Sequence, residues 1–127
     1  MQSDIIQWFP GHMAKTVRMM KDCLGDVDII IELLDARIPY SSKNPEISDI
    51  TDKKPSLTIL NKSSLASQEV TDKWIRYYSS LGKEAISVDC INGIGIAKIE
   101  PAVRKILAEK IKAYENKGMT GRKLRAM

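Results

Sequence analysis

Apolar residues recur at two periods along this chain, and the switches between them mark out its elements. Met13, Val17, Met20 and Leu24 fall three or four residues apart after the break at Pro10-Gly11, which predicts a helix closed by Gly25. Lys15, Arg18 and Lys21 occupy the other side of that helix. "VDIIIELLD", 27–35, changes the pattern to a short, continuous apolar run, as expected for a strand buried on both faces. The polar loop "ARIPYSSKNP" follows, with Asn44-Pro45 reading as an N-cap and first helical residue before "EISDI". "SLTIL", 56–60, is a second strand. Ser67 then caps a helix carrying Val70, Trp74, Tyr77, Tyr78 and Leu81 and stopped by Gly82. "EAISVDC" predicts a third strand and "NGIG" a turn. Pro101 opens one long helix with Val103, Ile106, Leu107, Ile111 and Tyr114, ending near Gly118.

Strands alternating with helices predict an α/β fold of three layers around a parallel sheet of about three strands. In such sheets ligands collect where the C-terminal ends of the strands release their loops. The loops at that edge are "DARIPYSSKNP", "NKSS" and "CINGIG", which hold the chain's unusual polar clusters.

Length and composition narrow the class. The 127 residues suit one domain, and 43% hydrophobic with 28% charged residues is ordinary for a globular protein. No stretch approaches the roughly 20 apolar residues that span a bilayer, and Met1-Gln2-Ser3-Asp4 does not begin a secretory signal. A cytoplasmic protein without membrane partners is expected. Cys23 and Cys90 fit no metal or redox spacing and read as reduced thiols. The net charge is +4, and its excess lies from Arg104 onward, where eight Lys/Arg face two Glu. A basic end of this kind suits phosphate-rich partners or is simply solvated.

Asn61-Lys62 just past a strand is an arrangement with which guanine is read: Asn on the base edge, Lys over the base plane. The carboxylate that would accept two guanine N–H groups is missing, since Ser64 holds its place and offers one hydroxyl. The same four residues also read as a polar turn. Cys90-Ile91-Asn92 follows the next strand, where a backbone N–H can face a base carbonyl whatever the side chain. No G-x-x-x-x-G-K-[ST] occurs, so no residues here are evident holders of a triphosphate. The single histidine, His12, reads either as a residue near a helix N-terminus or as a group that orients water or contacts RNA.

Together, "WFPGHMAK", "VDIIIELLDARIPYSSKNP", "LNKSSLA", "NGIGI" and "GRKLRAM" resemble the bacterial ribosome-biogenesis GTPase A family, circularly permuted GTPases, over essentially the whole chain. The resemblance implies a single partial GTPase domain over 1–127: the guanine-reading half, without the phosphate-loop half and the C-terminal RNA-binding domain. It implies GTP hydrolysis in late maturation of the large ribosomal subunit, with GTP/GDP and Mg²⁺ as cofactors of the complete enzyme. None of these is expected to bind tightly to this chain, which is expected to be inactive alone. By resemblance, Asn61 and Lys62 match the base-reading motif, Ser64 departs from its aspartate, and Cys90, Ile91 and Asn92 match the second base loop. His12 matches a histidine proposed as catalytic. Lys15, Arg18, Arg122, Lys123 and Arg125 are the expected contacts to rRNA. The strand at 29–34 is expected to lack one neighbour and to recruit another strand, by self-association, swapping or capture of the tail, and the isolated chain is therefore expected to dimerise or aggregate through it. The alternative is a non-catalytic rRNA- or ribosome-binding module that no longer uses nucleotide, and behind it a purely structural domain.

Overall fold

The computed structural model describes residues 11–127. Three parallel strands, β1 (Ile30–Asp35), β2 (Ser56–Asn61) and β3 (Glu84–Ser87), form one sheet in the order β1-β2-β3. Around them lie α1 (Gly11–Cys23), α2 (Pro39–Ser42), α3 (Pro45–Thr51), α4 (Gln68–Ser80), α5 (Ile99–Ile106) and α6 (Ala108–Asn116). The expected three-layer α/β architecture is present.

β2 is the centre of the packing because its "LTIL" core is apolar or β-branched on both faces. Leu57 and Ile59 join Ile29, Val88, Ala102 and Leu107 on the face covered by α5 and α6. Leu60 joins Leu34, Ala85 and Tyr78 on the opposite face, under α4, with Trp74 packed against them. Asn44 caps α3 through its side chain, which accepts from the Glu46 N–H, and Ser67 caps α4 by accepting from the Val70 N–H.

Three elements depart from the sequence reading. The loop after β1 contains a helical turn, α2, because Pro39 presets its first φ and the Ser42 hydroxyl donates to the Pro39 carbonyl. The expected long C-terminal helix is two, α5 and α6, meeting at Leu107. Bonds from Leu107 N–H to Val103 O and from Ile111 N–H to Leu107 O persist, so this is a bend rather than an interruption. Leu107, only 2% exposed, is seated against the sheet at the bend. β3 ends at Ser87 instead of Cys90 because Asp89 turns back to pair with Ile94, exchanging N–H···O bonds of 2.8 and 3.0 Å.

The edge of β1 is half covered. The tail runs parallel to it: Arg125 O accepts from the Asp28 and Ile29 N–H groups, Met127 N–H donates to Ile29 O, and Ile31 N–H donates to Met127 O. Capture of the tail, one of the ways such an edge recruits a strand, covers it from Asp28 to Ile31. Beyond Ile31 no strand pairs with this edge among the described residues, and Leu33 is 61% exposed.

Candidate base-binding site

The register of the sheet brings the loop-bearing ends together: Asp35 lies beside Asn61, and Leu60 beside Ser87. Asn61, the last residue of β2, accepts the Cys90 N–H on its Oδ1 at 3.1 Å. That bond joins the two stretches singled out from the sequence. The amide NH₂ of Asn61 has no protein partner among the described residues.

Lys62 follows at φ 61°, ψ 34°, the one non-glycine residue with positive φ among those described. Such a backbone costs about 1 kcal/mol or more and persists where the surroundings over-determine it. Here Ser63 N–H donates to Val88 O at 3.1 Å, and Lys62 Nζ lies 3.5 Å from Asp35 Oδ2. Asp35 in turn grips Arg37 through Nε at 3.0 Å, Nη2 at 2.7 Å and the backbone N–H at 2.9 Å. The guanidinium bonds of Arg37, then its N–H, hold the Asp35 carboxyl far below the usual carboxylate range. The Asp35 N–H is itself taken by Ser42 Oγ at 3.0 Å, which anchors α2 to the end of β1.

Ser64, exposed on the turn after Lys62, donates its hydroxyl hydrogen to Asp89 Oδ2. The same oxygen receives Asn92 Nδ2 at 2.8 Å, and Oδ1 receives the Asn92 N–H at 3.1 Å. The Ser64 bond first, and the Asn92 bonds after it, lower the Asp89 carboxyl from its ordinary value. Asp89 is 3% exposed, so it works from beneath the loop. The Cys90 and Asn92 N–H groups thus turn inward, while the Ile91 side chain, 92% exposed, points outward.

The structure therefore gathers Asn61, Lys62, Ser64, Cys90, Ile91 and Asn92 at one edge. It does not bring the cationic tail there: Arg125 docks at the entrance to β1, the opposite end of the sheet. Arg122 stacks on the Tyr114 ring at 4.2 Å, and Lys123 is exposed. Lys15 and Arg18 are exposed on α1. His12, also exposed there, accepts from Thr16 Oγ1 through its carbonyl at 2.9 Å. The Trp8-Phe9-Pro10 part of its motif lies outside the described residues. Cys23 and Cys90 are free, exposed thiols.

Asp35, Arg37 and Asp89 were not among the residues singled out from the sequence. Position alone signals two of them, since Asp35 and Asp89 are the acidic residues closing the apolar runs of the first and third strands. Mg²⁺ finds no fit here: both carboxylates are committed to protein donors, and the described residues hold no cluster of three metal-ligating side chains.

The site is thus a parallel α/β sheet with Asn61-Lys62 at the exit of its central strand, the Asn61 side chain tied to a backbone N–H of the next loop. No family model matches the chain. It is 42% identical to ribosome biogenesis GTPase A of Bacillus cereus over 97% of its length, covering 42% of that protein. The same protein of Bacillus licheniformis is 42% identical over 97% of the chain, which covers 44% of it. Mitochondrial ribosome-associated GTPase 1 of Mus musculus is 36% identical over 82% of the chain, with 32% of that protein covered. Among solved structures, GNP-bound YlqF of T. maritima superposes with a TM-score of 0.52 at 29% identity, over 59% of this chain and 31% of that one. The chain is similar to the ribosome biogenesis GTPase A proteins over almost its whole length, and it spans less than half the length of the curated relatives it matches.

Proposed function

We propose that this chain is the base-binding portion of a ribosome-assembly GTPase, acting with the whole protein in late maturation of the large subunit in the cytoplasm. The observation that carries this reading is the Asn61 Oδ1 to Cys90 N–H bond at 3.1 Å, beside a Lys62 held in the left-handed region. It fixes the two loops against each other and leaves the Asn61 amide and the Lys62 stem to meet a base edge and a base plane. The relatives' names, which speak of GTPases and ribosomes, and the nucleotide-bound titles of the YlqF structures support the same assignment.

Phosphate chemistry belongs elsewhere in such a protein. The 127 residues contain no phosphate loop, and preorganised charge on the transferring phosphoryl supplies most of the catalysis in this reaction. His12 keeps its proposed role only in the complete enzyme. The test is a GTP turnover assay on the 127-residue chain, repurified to constant specific activity. Release of phosphate at the uncatalysed rate is expected, and turnover that survives repurification would overturn the reading. Binding of rRNA without any response to nucleotide would favour the non-catalytic module instead.

A further inference from the structure

Ser64 stands where a guanine-reading carboxylate would be, and its hydroxyl is not free to choose its role. Asp89, lowered from its ordinary pKa by its hydrogen bonds, is a carboxylate at neutral pH and can only accept. The hydroxyl carries a single hydrogen, and that hydrogen is spent on Asp89 Oδ2. Every remaining bonding direction on Ser64 Oγ is a lone pair, and the residue is exposed. Asp89 is kept in place by Asn92 Nδ2 at 2.8 Å and the Asn92 N–H at 3.1 Å, so the pair is braced from below.

We propose that Asp89 is a positioning residue for base selection, which fixes Ser64 as an obligate acceptor backed by a negative charge. This rests on the base-reading assignment made above. An obligate acceptor takes an N–H from the base. Guanine and hypoxanthine present N1–H to Ser64 and a 6-oxo acceptor to the Asn61 amide, whose own oxygen is taken by Cys90 N–H; adenine sets its N1 lone pair against the Ser64 lone pairs and its 6-amino donor against the Asn61 NH₂, and is disfavoured. One oxygen is a smaller acceptor than a bidentate carboxylate, so it cannot take N1–H and the guanine 2-amino group equally well. The site accordingly selects a 6-oxopurine nucleotide over an adenine nucleotide and separates guanine from hypoxanthine only weakly.

The test is a ligand-observed NMR titration of the 127-residue chain with GDP, IDP and ADP, in the wild type and in variants. For the wild type, GDP and IDP should bind within about threefold of each other and ADP about tenfold more weakly. S64T keeps a hydroxyl and should keep that order. S64V, the same shape without the hydroxyl, should lose it. In D89N the amide can donate to Ser64 and release its hydrogen, so the preference over ADP should collapse while the fold, followed by circular dichroism, is retained. S64D should bind worse, because two carboxylates meet, and S64D/D89N should recover GDP binding and now prefer GDP to IDP. An unchanged GDP-to-ADP ratio in both D89N and S64V overturns the role of Asp89 but leaves the base site standing. Absence of nucleotide binding in the wild type and in S64D/D89N together overturns the base-reading assignment and this inference with it. Should D89N unfold, the S64T and S64V pair decides alone.

Discussion

Gly95 shows how tightly the second loop is built. Its φ is +78°, and a Cβ there would lie 2.7 Å from the Ser87 carbonyl oxygen, a backbone atom that cannot move aside cheaply. Gly93, at φ +70°, has nothing within 4 Å. G95A should therefore lose about 2 kcal/mol, from conformational strain and steric conflict together, and about 8 °C in Tm. G93A should lose only the strain, about 1 kcal/mol. Thermal unfolding of the two variants side by side checks this; equal losses would mean that the loop has slack near Ser87. The sequence made part of this scale legible. "NGIG" is visible as a turn and Asn61-Lys62 as a polar pair at a strand exit, because residue type and position carry those signals. The Ser64–Asp89 pair is not visible, since it depends on which side chains the register sets side by side, and the Asp35–Arg37 pair depends on the local turn after β1.

Among the elements, the contact between the tail and β1 decides how the edge of the sheet is protected. Asp28 holds it: Oδ2 accepts the Arg125 N–H at 2.9 Å and Oδ1 pairs with Lys110 Nζ at 2.8 Å, on a side chain 4% exposed. Burial pushes its carboxyl up, but the Lys110 bond, the Arg125 N–H and the nearby positive charges together bring it below its ordinary 3.8. A carboxyl lowered on folding contributes stability above its unfolded pKa and loses it as pH falls through the native value. Acidification below 3.8 should therefore release the tail before the sheet melts. Hydrogen exchange at Ile31 and Met127, whose N–H groups pair the tail to β1, reads this directly. D28N should speed exchange there about tenfold at neutral pH and abolish its acid dependence. Removal of residues 125–127 should raise self-association through β1, as judged by light scattering. If the shortened chain scatters like the intact one, the tail is not what protects this edge. The strands and most helices were legible from periodicity. The α5–α6 bend was not, because neither proline nor glycine marks Leu107, and only its seat against the sheet explains it.

At the scale of the whole molecule, the two kinds of polar surface lie at opposite ends of the sheet: base loops at the strand exits, cationic tail at the β1 entrance. Much of the basic excess is already paired, with Arg104 on Glu100, Lys105 on Glu84 and Lys110 on Asp28. The cations proposed for rRNA are Lys15, Arg18, Arg122, Lys123 and Arg125, which form no ion pair among the described residues. Each one that neutralises a phosphate should steepen the salt dependence of RNA binding by about 0.7–0.9 in log K per log salt. Replacing all five by Gln should flatten it, and an unchanged slope would return them to ordinary solvated surface. Charge segregation was legible as a count along the sequence, but its pairing was not.

The central claim, that the strand-exit loops bind a nucleotide base, is tested most directly by mapping amide chemical shifts of the 127-residue chain on addition of GDP. Shifts concentrated at Asn61, Lys62, Ser64 and Cys90 to Asn92, with the tail and α1 unmoved, are the predicted result. Shifts confined to the cationic residues, or none at the loop edge at saturating nucleotide, would contradict it.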